Sequence, residues 1–127
     1  MVELRRDIHR HPEAGWEEKR TTAKVVSALR DLGLEPHVRA TGTGLTVDIG
    51  NALPTVGFRS DLDGLTVHEE GAVDYRSTVP GVIHGCGHDA HTAIGVGIAS
   101  VLSRLPDLPG SVRLIFQPAR SCSRAEA

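Results

Sequence analysis

Residues 82–92 read VIHGCGHDAHT, and the rest of the chain is arranged around them. These eleven residues hold three of the seven histidines, one of the two cysteines, an aspartate and two glycines. Thiolate, imidazole and carboxylate groups are the ligands of zinc-class metals, and glycines let the backbone turn sharply enough for them to converge. This density favours a metal or catalytic site. The alternative is a small buried cysteine beside a capping loop with solvated histidines.

Apolar residues after this stretch recur at helical spacing and predict a helix with one buried face. The cluster then lies on a loop that runs into the helix N-terminus, with Asp89 or Thr92 as candidate caps. The residues of the predicted buried face are Ile94, Ile98, Val101, Leu102 and Leu105.

Spacing decides whether Cys86 and His88 can bind one ion. Two residues apart on a helix, they would point about 200° away from each other. In a looped backbone they project to the same side, and the neighbouring glycines favour such a backbone. A chelating pair therefore requires that the helix start after His88.

Composition narrows the class of protein. A chain of 127 residues suits one domain, and 39% apolar with 24% charged residues is typical of a globular protein. A net charge of −2 without a basic, aromatic-interleaved stripe argues against nucleic-acid binding. The longest apolar run, 93–102, is too short and glycine-rich for a membrane span, and residues 1–7 are polar. We expect a cytoplasmic protein that binds neither nucleic acid nor membrane.

The remaining patterns predict an α/β fold in which helices pack on a mixed, partly parallel sheet. Residues 56–58, Val-Gly-Phe, are apolar on both faces, as expected of a central strand. The β–α–β order between 55 and 118 predicts parallel strands joined by a right-handed crossover. Helices are predicted at 2–10 and 17–32, and strands at 34–40, 45–49, 55–59 and 111–116.

Two aspartates, Asp61 and Asp63, follow the strand that ends near residue 59. Spaced at i and i+2, they project to one side, at the end of the strand where open α/β sheets place their ligands. They could bind a metal or orient histidine ligands. Equally, they could be turn residues whose side chains cap the strand end.

The polar segment 9–18, HRHPEAGWEE, permits two readings of its own. Proline and glycine predict a junction between two helices, which is the reading we favour. Two histidines and three glutamates beside the sole tryptophan could alternatively line a site.

Four segments in order resemble the metal-dependent N-acyl-amino-acid amidohydrolases. This group includes the hippurate hydrolases and the indoleacetyl-amino-acid hydrolases, and it is related to the zinc aminoacylases and carboxypeptidases. The resemblance extends over nearly all of residues 2–119, and Gly-Cys-Gly-His-Asp is its most specific part. The segments are 4–13 (LRRDIHRHPE), 59–65 (RSDLDGL), 84–91 (HGCGHDAH) and 115–119 (IFQPA).

The resemblance implies that residues 1–119 form the N-terminal part of the catalytic domain of a two-domain metallohydrolase. Such enzymes carry two divalent metal ions, usually zinc, manganese, cobalt or nickel, and cleave the amide bond of an N-acyl amino acid. By resemblance, Cys86 and His88 would be metal ligands. Asp61 and Asp63 would orient the groups around the metals.

One departure affects the chemistry directly. In the family, a Glu-Glu pair after Gln-Pro-Ala supplies the general base and a metal-binding carboxylate, whereas Arg120 and Ser121 stand here. No catalytic residue is therefore assigned, and the chain is expected to be truncated and inactive alone. The alternatives are a remnant or interaction fragment with weak metal binding, or a thiol hydrolase with Cys86 as its nucleophile.

The composition changes after Ala119, because residues 120–127 have no apolar periodicity. We expect a disordered tail of non-native character, such as a frameshift would produce. Strands and helices that the family carries further on are absent, which would leave an apolar face or sheet edge open. Self-association is therefore a further expectation.

Overall fold

The computed structural model describes residues 1–120 and confirms the α/β class, with helices on a mixed, partly parallel sheet. The prediction of a disordered tail lies, beyond Arg120, outside the described residues. The helices are α1 (Val2–Arg10), α2 (Lys19–Asp31) and α3 (His88–Leu102), and the strands are β1 (His37–Val38), β2 (Leu45–Ile49), β3 (Thr55–Asp61) and β4 (Ser111–Gln117).

The strands form one sheet in the order β1-β2-β4-β3. Strand β2 pairs antiparallel with β1 and β4, whereas β3 pairs parallel with β4, as the β–α–β pattern predicts. The register sets Phe116 opposite both Leu45 and Ser60, so these three side chains share one face of the sheet. Helices α2 and α3 pack on that face, where Val25 and Leu29 of α2 and Val96 and Ala99 of α3 join the buried core.

Close contact between α3 and the sheet depends on Gly95. A Cβ atom built there would lie 2.5 Å from Ser60 Oγ and 2.9 Å from the ring of Phe116. Both distances are too short for real carbon contacts, so a side chain at this position would force the helix away from β3 and β4. The glycine thereby sets the height of α3, and of the His88 end of the helix, above the sheet.

The predicted buried face of α3 is wrong. Ile94, Val101 and Leu105 are 54%, 62% and 49% exposed, and Ile98 and Leu102 are only partly buried. The face that meets the sheet is formed instead by smaller residues, because the short distance to the sheet excludes large side chains. Its members include Thr92, Gly95, Val96 and Ala99.

The expectation that 56–58 lies in a central strand is also wrong for the described residues. Strand β3 is at the edge of the four-stranded sheet, and Val56 is 62% exposed. An apolar segment such as 56–58 indicates that both faces of a strand can be covered. It does not show that the strand has a neighbouring strand on each side. No helix within residues 1–120 is long and apolar enough to cross a membrane.

Candidate metal centre

Helix α3 begins at His88, and its first turn lies beside Asp61, the last residue of β3. Gly87 caps the helix in the left-handed conformation, with φ 77°, so neither Asp89 nor Thr92 is the cap. The condition that the helix start after His88 is not met, because His88 is the first residue of α3, although Cys86 lies outside the helix. Thr92 Oγ1 donates instead to the carbonyls of Asp61 and His88, and this ties the first turn of α3 to β3.

The two aspartates lie on either side of the His88 ring. His88 Nδ1 is 2.9 Å from the carbonyl oxygen of Asp63 and 3.1 Å from its Oδ1, while Nε2 is 3.8 Å from Asp61 Oδ2. Both oxygens at Nδ1 accept hydrogen bonds, so Nδ1 carries the proton that it donates. With the proton on Nδ1, Nε2 is the nitrogen that can present a lone pair to a metal, and it lies on the side of Asp61.

Asp61 offers a further oxygen in the same place. Its Oδ1 is buried and has no hydrogen-bond partner within residues 1–120, and its Oδ2 lies 3.5 Å from His91 Nδ1 and 3.6 Å from Arg59. A buried carboxylate oxygen without a donor is costly unless a cation satisfies it. The unpaired oxygen and the free Nε2 of His88 are therefore suited in chemistry to a divalent metal.

Cys86 lies in the exposed turn that precedes α3 and is a free thiol. Its thiolate would add a soft ligand. Across the described part of the chain, however, no group of three or more His, Cys, Asp or Glu side chains could hold a metal ion. A zinc site normally has at least three protein ligands, so these donors fit a metal as part of a centre rather than as a complete one.

A second polar cluster, which the sequence patterns do not reveal, lies between α1 and α3. The fully buried Asp89 forms an ion pair with Arg5, whose Nε lies 2.6 Å from Asp89 Oδ2. His9 Nδ1 is 2.8 Å from the same oxygen, and His9 Nε2 lies 2.9 Å from Glu69 Oε1. The ring of Tyr75 packs edge-on against His9, with the Arg5 guanidinium 4.9 Å from its centroid. Arg5 and His9 are four residues apart on α1, so they lie on the same face of the helix. This is the only local sequence pattern in the cluster, and it does not indicate that Asp89 is their partner.

His84 lies beside this cluster, with its ring centroid 6.3 Å from that of His9. It is buried, and neither ring nitrogen has a hydrogen-bond partner in the described part of the chain. Burial lowers the pKa of His84 from 6.5 to about 4, aided by the nearby His9 and His88 and opposed by the carboxylates of Asp89 and Asp63. The folded chain therefore holds His84 neutral at physiological pH.

Replacing His84 by leucine should flatten the pH dependence of stability below neutrality. In the parent, the unfolded chain gains a proton at His84 below pH 6.5 that the folded chain does not gain until about pH 4. The free energy of unfolding therefore falls as the pH drops through this window, by roughly 3 kcal/mol in total. Urea unfolding across a pH series measures this loss.

The exposed His68 provides the control for that series. The variant His68→Gln should keep the parent's pH dependence, because it also removes one imidazole but leaves the buried His84 in place. An equally steep loss of stability in the His84→Leu variant would show that other groups cause it.

Glu18 connects the start of α2 to the end of β4. It is fully buried, its Oε1 accepts from the backbone N–H of Ala119 at 2.7 Å, and its Oε2 has no partner within residues 1–120. Burial raises the pKa of this carboxyl, with a smaller contribution from Asp63 in the same direction. Ala119 itself has φ 56°, in the left-handed region. The contact fixes the turn after β4 from which Arg120 follows.

The contacts of Glu13 agree with the prediction that segment 9–18 is a junction between two helices. Its carboxylate accepts from the backbone N–H groups of Arg20 and Thr21, at 2.9 and 2.6 Å, and so caps α2. His9 and Glu18, by contrast, are the members of this segment that take part in the buried polar contacts around the site.

Comparisons with known proteins place these features in a family. Residues 57–120, about half of the chain, match the model of the peptidase family M20/M25/M40. A crystal structure of a dinuclear metal-binding peptidase of the M20 family from Bacillus subtilis superposes with a TM-score of 0.88 at 38% identity. That match covers 93% of this chain and 34% of the solved one.

Two relatives extend the comparison. An indole-3-acetyl-aspartic acid hydrolase of Enterobacter agglomerans is 35% identical, over 98% of this chain and 40% of its own length. A Rhodococcus jostii protein, provisionally named glutamate–cysteine ligase 2-3, is 51% identical over 94% of this chain but only 15% of its own length. The chain thus spans well under half the length of each of these three proteins.

Proposed function

Because the chain belongs to the peptidase family M20/M25/M40, we propose that it provides the first part of a metal-dependent amidohydrolase site for N-acyl amino acids. The observation that carries this proposal is the His88 ring, with Nδ1 donating to Asp63 and Nε2 left free beside Asp61. The hydrolase of indole-3-acetyl-aspartic acid among the relatives supports an acylated amino acid as the substrate class.

In this proposal Cys86 and His88 bind the metal, and Asp61 and Asp63 hold the ligands in position. Bound divalent metal supplies a Lewis acid and lowers the pKa of a coordinated water. Asp63 keeps the His88 proton on Nδ1, and the free Oδ1 of Asp61 adds negative charge beside Nε2. Zinc, manganese, cobalt or nickel would suit this mixture of ligands, and a cytoplasmic location remains part of the proposal.

A second function is favoured by one observation, the Arg120–Ser121 pair that follows Gln117-Pro118-Ala119. By resemblance, a general base and a metal-binding carboxylate belong at these two positions. With a guanidinium there instead, the chain would bind one metal ion weakly and carry out no hydrolysis. We propose that residues 120–127 derive from a shifted reading frame, and a coding sequence without an alternative frame that encodes Glu-Glu would contradict this.

Cobalt binding tests the metal site without requiring turnover. We expect Co²⁺ added to residues 1–127 to produce a thiolate-to-cobalt absorption band that Cys86→Ala abolishes. The matched control is Cys122→Ala, which removes the chain's other thiol and should leave the band unchanged. The variant Asp63→Asn should weaken cobalt binding by up to about 10- to 100-fold, because a neutral amide oxygen accepts from His88 Nδ1 less strongly than the carboxylate does.

The outcomes separate the two functions from a purely structural role. A cobalt band that survives Cys86→Ala, or that vanishes only with Cys122→Ala, would contradict the proposed ligand set. Unchanged affinity in Asp63→Asn would mean that this carboxylate serves the fold alone. Circular dichroism of each variant without metal excludes unfolding as the cause.

A further inference from the structure

The first turn of α3 carries the proposed ligand His88 and depends on tertiary contacts for its position. Its cap residue, Gly87, has no side chain that could bond the free backbone N–H groups of the turn. Two other elements hold the turn instead. Thr92 Oγ1 donates to Asp61 O and ties the turn to β3, while the buried Asp89 ties it to α1. The orientation of His88 therefore depends on Asp89 as well as on the two aspartates beside its ring.

Asp89 receives its hydrogen bond from His9. Its Oδ2 accepts from His9 Nδ1 at 2.8 Å and forms the ion pair with Arg5, whereas its Oδ1 is buried without a partner within residues 1–120. A fully buried carboxylate is strongly destabilised when it loses a donor, and no described group is bonded to the second oxygen to compensate. His9 thus holds the Asp89 side chain in place.

Glu69 holds the other nitrogen of the His9 ring. Its Oε1 lies 2.9 Å from His9 Nε2, and its Oε2 accepts from the backbone N–H of Ser77. Burial raises the pKa of Glu69, but the hydrogen bonds from His9 and Ser77 outweigh it and leave the pKa lowered, so this carboxylate is an acceptor. With a carboxylate at each nitrogen, the ring cannot turn without losing a hydrogen bond.

Glu69 lies in the irregular segment between β3 and α3, and this segment is itself fastened to α1. Thr78 donates to Arg10 O from both its N–H and its Oγ1, at 2.8 and 2.7 Å. The Tyr75 ring packs edge-on against that of His9, with 5.3 Å between the centroids. The segment is mostly exposed, yet these contacts keep the Glu69 carboxylate on the His9 ring.

We propose that Asp89, His9 and Glu69 form a positioning triad that orders the metal-binding turn of α3. The proposal rests on the proposed function in that His88 is taken as a ligand. Each hydrogen bond of the triad has both partners within residues 9–89, so the triad is complete in the described part of the chain. Breaking it should weaken metal binding beyond any loss of stability, because the turn must then be ordered when the metal binds.

Hydrogen exchange tests the triad in the metal-free protein. The variant His9→Phe keeps an aromatic ring and removes both nitrogens. We expect exchange of the His91 amide, which donates to Gly87 O at 2.9 Å in the first turn, to accelerate about 10-fold or more, as loss of a hydrogen bond to a charged group predicts. The amide of the fully buried Ala99, further along α3, should keep the parent rate. A role in overall stability alone would accelerate both amides equally.

Cobalt binding tests the consequence for the metal site. We expect His9→Phe to bind Co²⁺ about 10-fold more weakly, measured by the absorption band that depends on Cys86. The variant His9→Asn should recover most of this affinity, because its amide nitrogen can replace Nδ1 as the donor to Asp89. The matched control is His11→Phe, which removes an imidazole that contacts Asp7 instead and should change neither exchange nor affinity.

The variant Glu69→Ala guards against a His9→Phe protein that does not fold. Glu69 is the least buried member of the triad, so its truncation opens little space in the interior. The His9–Asp89 bond remains possible, but the ring is free to turn. We therefore expect the same selective rise in His91 exchange and the same weakening of cobalt binding, each smaller than in His9→Phe.

Two results would overturn the inference. One is exchange at His91 that stays at the parent rate, or rises only as much as at Ala99, in both His9→Phe and Glu69→Ala. The other is a selective rise at His91 with unchanged cobalt affinity. A parent without a Cys86-dependent cobalt band would contradict the proposed function instead, and His91 exchange, which needs no metal, would still decide whether the triad orders the turn.

Discussion

Purified residues 1–127 are expected to release no amino acid from N-acyl amino acids, even with zinc, manganese, cobalt or nickel supplied. Amide hydrolysis at a metal centre needs a carboxylate that takes a proton from the attacking water and passes it to the leaving nitrogen. By resemblance that carboxylate belongs directly after Ala119, where Arg120 stands. General acid–base catalysis is worth about 10²- to 10⁴-fold, and a positive charge there would further weaken metal binding.

The assay compares the parent with Cys86→Ala on acetylated and indoleacetylated amino acids. Both should give the background rate, because one lacks the base and the other lacks a proposed ligand as well. Metal-dependent turnover by the parent above that of Cys86→Ala would show that the described residues already form a working centre. Turnover that a chelator does not abolish would favour the thiol mechanism with Cys86 as nucleophile.

Phe116→Ala should destabilise the fold by about 3–5 kcal/mol, the range for truncating a buried aromatic side chain. Phe116 is 1% exposed, and its ring lies under Gly95 where α3 approaches the sheet closest. Truncation leaves a cavity that the helix cannot fill without shifting from β3. Because the loss is a large part of the stability of a small domain, the variant should unfold at a much lower urea concentration.

The neighbouring Ile115 is a matched control for this experiment. It is only half-buried, on the opposite face of the same strand, so Ile115→Ala removes apolar surface without opening a cavity under α3. Its loss of stability should be clearly smaller. Equal losses for Ile115→Ala and Phe116→Ala would indicate that the second face of the sheet is also covered in solution, for instance by another chain.

Much of the fold could be predicted because its signals are local. The period-2 and period-3.6 patterns locate β2, β4 and α1, and the β–α–β order correctly predicts that β3 and β4 are parallel. The spacing also predicts helix α3 but not its cap: the expected caps are Asp89 and Thr92, whereas the left-handed Gly87 caps the helix. The four family-like segments likewise come from the sequence alone, and the family match to residues 57–120 includes the last three of them.

Other features depend on which elements come together in space. Ile94 and Val101 recur with the period of a buried helix face, yet Gly95 brings a different face of α3 against the sheet, so both side chains are exposed. The network of Arg5, His9 and Asp89 joins residues 80 positions apart and has no local pattern.

The sequence by itself determined the family of this protein, its candidate metal ligands Cys86 and His88, and the Arg120–Ser121 pair after Ala119. Those are properties of residue identity and order, which no packing alters. Only the tertiary structure decided that Asp63 accepts from His88 Nδ1 and that, within residues 1–120, one buried oxygen of Asp61 has no partner and β3 is at the edge of the sheet. These features depend on contacts between residues that are far apart in the sequence. Burial and hydrogen bonding are set by distances in space, which the order of residues alone does not give.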